Sequence, residues 1–529
     1  MEPMSELATP RQTPRHVLAM ALAIAVLAGT LYGSGLDVAP LYVTKDEASY
    51  GIQSHAVATT GRDTNGRFLP VFFQEQGFPI GRDPLYIYAS ALVLQFTPMS
   101  GGALRVPTVI AAAISIGLVV LIAYELFGSA ALAAVAGVLA AVTPVFFIRS
   151  RAALAVMVPV PFQLVWLLCL IRYWRAGRLG AIVTGTAALG IGVYSYLNML
   201  FFMPIHMLCS LAEIARQRRW RHAVVVLAVL AALMVPMAAW QIQHPRDTDA
   251  MATSYGVYPA GLTPLQGLKD VLAWSSLSRR ADIYWNAFNP GRLFFSGESS
   301  LIDSTREAGL YPVVYLLLLP LGAYALLKRP LTVVTVAILS VFMLGPVPGT
   351  LVGQETIARY LVAGPLATLL AVAAIDWLWR TGWLAARFVA AAAVVISLVL
   401  FRGFYVDYMG EWRVRSAIHM GGNLKGAMDH VLAQGSTPDL VYLSERIPYV
   451  NVFWEFYKRA NSRDDLTGRD RGLSLSQEDW KSPSGRAMAI VPGGDDPTAP
   501  ALLGAGWTTV AEIREFYGGP PTFLVLSRN

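Results

Sequence analysis

Long apolar blocks recur through the first 400 positions, most of them separated by short polar stretches and two by longer loops. A helix that crosses a bilayer needs roughly 20 predominantly apolar residues. Eleven segments approach that pattern: 17–36, 105–127, 130–148, 154–171, 180–197, 199–214, 222–241, 310–327, 331–349, 359–378 and 384–402. A further apolar stretch, PLYIYASALVLQFTP at 84–98, has fifteen residues. Its length leaves it between a span and a helix lying in the interface.

The basic residues decide between the two. Arginine and lysine accumulate in cytoplasmic loops. If 84–98 does not cross, and the N-terminus is cytoplasmic, four clusters share the cytoplasmic side: Arg172/Arg175/Arg178, Arg216/Arg218/Arg219/Arg221, Lys328/Arg329 and Arg380/Arg387. If it crosses, all four lie outside. The pattern therefore predicts eleven spans, with 84–98 as an amphipathic segment on the outer face. Residues 1–16 form a cytoplasmic tail and 17–402 the membrane domain. The loops 37–104 and 243–309 and the tail 403–529 lie on the non-cytoplasmic side. No convincing small-residue cleavage site follows the first apolar run, so it is expected to be retained.

Beyond 402 the pattern changes. DLVYLSE, AMAIVPG, WTTVAEI and TFLVLS have strand character, whereas NLKGAMDHVLAQ and PYVNVFWEFYKRA have helical periodicity. The fold class is thus an all-α polytopic membrane protein, about eleven transmembrane helices, with a small α/β C-terminal domain. VPGGDDP is glycine-rich but lacks the spacing of a nucleotide-binding loop, and reads as a turn.

Composition agrees: 55% of the 529 residues are hydrophobic and 14% charged, where soluble domains carry about a quarter charged residues. The net charge of +7 belongs with cytoplasmic arginines and gives no reason to expect nucleic acid as a partner. Cys169 and Cys209 both fall within apolar segments, as packed core residues do. The histidines form no metal-ligand spacing, so no metal and no cofactor is expected.

The candidate chemistry sits in the outer loops. In TKDEASYGIQSHA, Asp46 and Glu47 follow Thr44, so they read as first-turn charges of a capped helix. A helix start also holds a carboxylate rigidly, as a general base requires. Arg82 in GRDPLYIY, Arg149 and Arg151 in FIRSRAAL, and Arg359 in ETIARYLVAGP lie on the side that disfavours arginine. They point to a bound anion, with phosphate the natural choice. Lys45, Tyr86, Arg105, Tyr194, Glu298, Arg306 and Tyr360 are candidates for substrate binding or for structure. For Arg105, which opens the second span, the alternative is a side chain snorkelling to the headgroups. For the aromatics of 286–312 it is an interfacial belt.

One span, then DEASYGIQSHAVATTGRD, then GRDPLYIYASALVLQF, then ALRVPTVIAAAISIGLVVLIAYELFG, together with FIRSRAAL, GVYSYLNMLFFMP and ETIARYLVAGP, carries a family resemblance. Over residues 15–400 the chain resembles the polytopic glycosyltransferases of the C-type fold. The group is that of bacterial family 39, the protein O-mannosyltransferases and the lipid A aminoarabinose transferases. The resemblance implies an enzyme of the bacterial inner membrane. It would take a sugar from a polyprenyl-phosphate carrier at the outer face and pass it to a glycan, glycolipid or protein. It also implies a non-spanning helix in the first loop. Asp46 matches the family's first-loop catalytic acid, Glu47 is its partner in the motif, and Arg105 matches an arginine at the start of span two. Arg82 stands near the position where the aminoarabinose transferases carry a lysine before Pro-Pro; here the sequence is Arg-Asp-Pro. After span three the family's metal-using members and the aminoarabinose transferases have acids, whereas IRSRAALAVM has none, so transfer is expected to be metal-independent.

Two readings from other classes stand beside the enzyme. A transporter or flippase for lipid-linked sugars would carry ionisable groups in mid-bilayer and inverted repeats. These spans are nearly free of charge. A non-enzymatic envelope-assembly protein would use 403–529 as its binding module.

Overall fold

The computed structural model describes residues 13–75, 78–354, 356–434 and 438–528; the side chains of 75, 78–82, 247 and 248 lie outside that description. Among the described residues eight helices are long and apolar enough to cross a bilayer. They are Arg15–Gly33, Gly101–Phe127, Ala155–Ala176, Met199–Arg216, Trp220–Gln243, Val333–Leu351, Leu361–Arg380 and Leu384–Met420. The chain is a multi-pass membrane protein.

The other three expected spans are present in altered form. The segment 130–148 is two helices, Ala130–Ala141 and Pro144–Ser150, bent by 58°. Pro144 opens the second piece and has no N–H to continue the first. The segments 180–197 and 310–327 become the shorter apolar helices Leu179–Gly192 and Tyr315–Leu327. Each expected segment coincides with an apolar helix, but length qualifies eight of them, or nine with the bent pair. The ambiguous stretch at 84–98 is the helix Pro84–Leu94, too short to span.

The chain divides into two compact units. The first holds the residues up to Ser34, with 70–86 and 106–407; the second holds 35–69, 87–105 and 408–529.

In the first unit, every residue from Gly364 to Asp376 of the helix Gly364–Arg380 is buried. An apolar helix buried all round is a central helix. Tyr315–Leu327 packs closely against it because Gly322 presents no side chain: a Cβ there would collide with the Leu370 backbone. Several arginines expected in cytoplasmic loops meet buried acids. Glu125 pairs with Arg172 at 3.2 Å and Arg175 at 2.7 Å. Asp376 pairs with Arg329 at 2.6 Å and Arg380 at 2.8 Å. The long loop after Trp220–Gln243 is not featureless. It forms the helices Asp247–Ser254, Pro264–Leu272 and Trp274–Asn286, which the sequence pattern did not indicate. Strands β1 (Phe73–Glu75) and β2 (Phe78–Arg82) make an antiparallel hairpin that leads into Pro84–Leu94.

The second unit is built on a five-stranded sheet of β3 (Leu440–Ser444), β4 (Asp470–Leu473), β5 (Ala487–Pro492), β6 (Thr508–Glu515) and β7 (Gly518–Arg528). The order is β4-β3-β5-β7-β6. β4, β3 and β5 run parallel, and β7 is antiparallel to both β5 and β6. Tyr442, Trp480, Val491, Leu502, Trp507 and Leu526 form part of its core. All four strands expected from the sequence are present; β4, in the polar RDRGL, is additional. The helix Lys45–Thr60 of the first loop packs on Val450–Ala460 of this domain. Gly51 makes the approach possible, since a Cβ there would lie 2.7 Å from both Leu104 and Phe456.

Candidate active site

The acid pair begins the helix Lys45–Thr60. Thr44 is its N-cap, and a complete capping box forms: Glu47 N–H donates to Thr44 Oγ1, while the Thr44 N–H donates to Glu47 Oε2 at 2.8 Å. Serine or threonine followed three residues later by glutamate favours this reciprocal arrangement. The cap divides the pair. Glu47 is 2% exposed, and its carboxylate meets the Arg105 guanidinium at 3.0 Å. Asp46 keeps a side chain that is 58% exposed, with Lys45 Nζ 3.7 Å away.

Arg105 does not snorkel. It is 1% exposed, and each of its three nitrogens has a partner. Nε and Nη2 donate to Glu47, Nη1 donates to the carbonyls of Leu36 and Pro40, and Nη2 also donates to that of Tyr42. The pair thus gathers the start of the first loop beneath the helix that carries Asp46. Tyr42 adds a tie to the C-terminal strands, its hydroxyl donating to Glu515 at 2.8 Å. Burial and that carboxylate hold the phenol well above its ordinary range.

The first-unit arginines expected in outer loops are less exposed than loop residues would be. Arg149 and Arg151 are 1% and 0% exposed. The break before Pro144 turns Pro144–Ser150 back into the bundle, where Val145 N–H meets the Leu310 carbonyl. Arg149 Nη2 pairs with Asp303 at 2.7 Å and lies 3.4 Å from the Thr356 hydroxyl. Its Nε is buried with no hydrogen-bond partner among the described residues. Arg151 is used differently: Nη1 donates to the carbonyls of Tyr32 and Ser34, and the guanidinium lies over Phe147. It ties the end of the first span to the elbow.

Arg359 closes the turn Ile357–Arg359. Nε and Nη2 donate to Gln354, and Nη1 donates to the Tyr196 hydroxyl at 3.0 Å. The Tyr255 ring lies 4.9 Å away, and Asp83 acts electrostatically on the same guanidinium. Glu298 supports this turn from below: it chelates Arg292 and accepts the Ile357 N–H at 2.7 Å. Arg292 in turn lies 6.0 Å from the centre of the buried Tyr360 ring.

The remaining candidates divide by contact. The Tyr194 hydroxyl donates to the Leu233 carbonyl and accepts the Met237 N–H. It thereby bridges the helix around Pro236, where a backbone bond is lost. Tyr86 is fully buried. Arg306 is exposed and laces its own loop through the Ser299 carbonyl. The backbone of Arg82 pairs with Phe73, but its side chain lies outside the described residues. Among the described residues no three His, Cys, Asp or Glu side chains gather closely enough to hold a metal ion.

This architecture is the C-type glycosyltransferase fold. Residues 81–240 match the family described as dolichyl-phosphate-mannose-protein mannosyltransferase, a stretch that contains Arg82, Arg105, Arg149 and Arg151. The particular likeness is to ArnT from Cupriavidus metallidurans. In its apo state it aligns with a TM-score of 0.58 and 14% identity, over 96% of this chain and 97% of that one. The same protein bound to undecaprenyl phosphate aligns with a TM-score of 0.58 and 13% identity, over 97% and 98%. The oligosaccharyltransferase AglB from Archaeoglobus fulgidus aligns with a TM-score of 0.48 and 15% identity, over 83% of this chain and 63% of that one. No curated protein sequence matches the chain.

Proposed function

We propose that the protein is an integral membrane glycosyltransferase. It moves a sugar from a polyprenyl-phosphate donor to an acceptor hydroxyl at the outer face of the inner membrane, with inversion and without a metal ion. The observation that carries this reading is the unequal fate of the acid pair. Glu47 is consumed by its cap and by Arg105, whereas Asp46 is held rigidly and remains exposed. The family match over 81–240 and the ArnT-like fold support a glycosyltransferase with a lipid-linked donor. The ArnT structure with undecaprenyl phosphate supports a polyprenyl carrier. The arginine distribution supports the outer face, and the acid-free IRSRAALAVM supports chemistry without a metal.

In this mechanism the acceptor oxygen attacks the anomeric carbon while Asp46 takes its proton. The bond between that carbon and the phosphate oxygen breaks, and its electron pair leaves with the polyprenyl phosphate. Arg149 and Arg359 stabilise the charge that develops there. A single displacement inverts the anomeric centre. Asp46→Asn retains the shape and removes the base, so transfer falls by about 10²–10⁴. Mass spectrometry of lipids and envelope glycans checks this, comparing a deletion strain carrying the wild-type gene with one carrying the variant. Equal product in both removes Asp46 from the chemistry.

A further inference from the structure

Tyr449 stands just before the helix Val450–Ala460, the helix on which the acid-pair helix packs. Its backbone is left-handed, φ 56°. For a bulky aromatic residue this conformation is unfavourable, and glycine would adopt it freely. Burial of the ring does not offset the strain, because the residue is 60% exposed. A strained residue of this kind persists where the surrounding structure fixes it, and such residues concentrate at functional sites.

The position of the ring indicates the function. Lys45 Nζ lies 5.5 Å from the ring centroid, and Asp46 Oδ1 lies 3.7 Å from the same Nζ. Lys45 therefore bridges an exposed aromatic face and the candidate base. An exposed flat ring with an ammonium over it, and a carboxylate against that ammonium, has the chemistry of a carbohydrate subsite. The C–H face of a pyranose covers the ring, and the charged groups reach its hydroxyls. We propose that Tyr449 and Lys45 form the acceptor subsite, and that the acceptor is a carbohydrate, free or as a glycolipid headgroup, that stacks on Tyr449 and presents a hydroxyl to Asp46. A serine or threonine side chain of a protein acceptor has no pyranose face to use this platform. The inference rests on Asp46 being the base of the reading above, and it assigns to the C-terminal domain a share in choosing the substrate.

The test uses the full-length protein in nanodiscs. Saturation-transfer NMR is recorded with methyl pyranosides of glucose, galactose, mannose and N-acetylglucosamine, and separately with a serine- and threonine-containing peptide. Undecaprenyl phosphate binding is measured in parallel. Tyr449→Gly suits the left-handed backbone and so keeps the fold, while Tyr449→Trp keeps an aromatic face. The expected result is transfer to the ring protons of at least one pyranoside. That affinity falls about three- to tenfold in Tyr449→Gly and is retained in Tyr449→Trp, with undecaprenyl phosphate binding equal in all three proteins. The proposal is overturned if no pyranoside binds the wild type, if Tyr449→Gly binds as the wild type does, or if the peptide competes for the same site. Loss of undecaprenyl phosphate binding in the wild type would instead remove the donor reading, and the pyranoside result would still decide the platform.

Discussion

Arg105 in the second unit and Arg149 in the first are equally buried and each held by a carboxylate, yet they are satisfied to different degrees. In the second unit Arg105 meets Glu47 and three backbone carbonyls, so that all three nitrogens donate. In the first unit Arg149 meets Asp303 and approaches Thr356 through a single nitrogen, and its buried Nε has no partner among the described residues. Buried polar groups are nearly always satisfied, so an unpartnered one asks for an explanation; Arg280 Nη1 and Arg413 Nε share that state. A saturated guanidinium organises the chain around it. An unsaturated one keeps a donor for the phosphate oxygen that the function proposed above assigns to it.

Four changes test the contrast. Arg105→Met leaves Glu47 buried without its counter-charge, which costs about 3–5 kcal/mol. Thermal melting of the purified protein should show that loss, and replacing Glu47 by Gln in the same chain should restore part of it. Next in size, Arg149→Met should cost less stability but weaken undecaprenyl phosphate binding about ten- to hundredfold, in proportion to the loss of a charge-assisted hydrogen bond of roughly 1.5–3 kcal/mol. If the two variants lose equal stability and donor binding is unchanged, the distinction between them fails. Asp303→Asn removes the carboxylate that competes for Arg149. Undecaprenyl phosphate should then bind a few-fold more tightly, about one charge-assisted contact's fraction, and weaker binding would show that Asp303 positions the arginine.

The smallest effect concerns His55, on the acid-pair helix. Burial, and then the positive charge of Arg459, hold its pKa below the ordinary value. The unfolded chain therefore binds this proton more readily than the folded one. The stability tied to neutral His55 is complete above the unfolded pKa of about 6.5 and is lost as pH falls below it toward the folded value. His55→Gln should lessen the fall in melting temperature as pH drops below about 6.5. An unchanged slope would assign the acid sensitivity to other groups.

Local chemistry was readable in the sequence and long-range pairing was not. The capped start at Thr44, the apolar helices and four of the five C-terminal strands follow from periodicity and capping within short windows. The short length of Leu179–Gly192 does not follow from its apolar pattern, whereas the bend before Pro144 has a local cause, the proline, that the apolar pattern passes over. The sequence also identified Arg149 and Arg359 as unusual. It gave no sign that Asp303, Thr356, Tyr196 and Tyr255 would surround them, since each approaches from a distant segment. Arg151 is grouped with Arg149 because both lie on the side that disfavours arginine, yet its Nη1 contacts are to backbone carbonyls. Tyr449 carried no sequence signal, because its interest lies in a backbone angle and in exposure.

The packing of Lys45–Thr60 on Val450–Ala460 also bears on how the protein is made. The first of these helices leaves the ribosome well before its support, which lies almost four hundred residues later. At about 5–20 residues per second, that interval is on the order of 20–80 s. Throughout it the acid-pair helix must wait outside the bilayer without its partner. A chain interrupted before residue 450 would have inserted most of its spans and still lack the platform that holds Asp46. Under the function proposed above, a chain that stops before Val450–Ala460 lacks the support of the helix that carries its base.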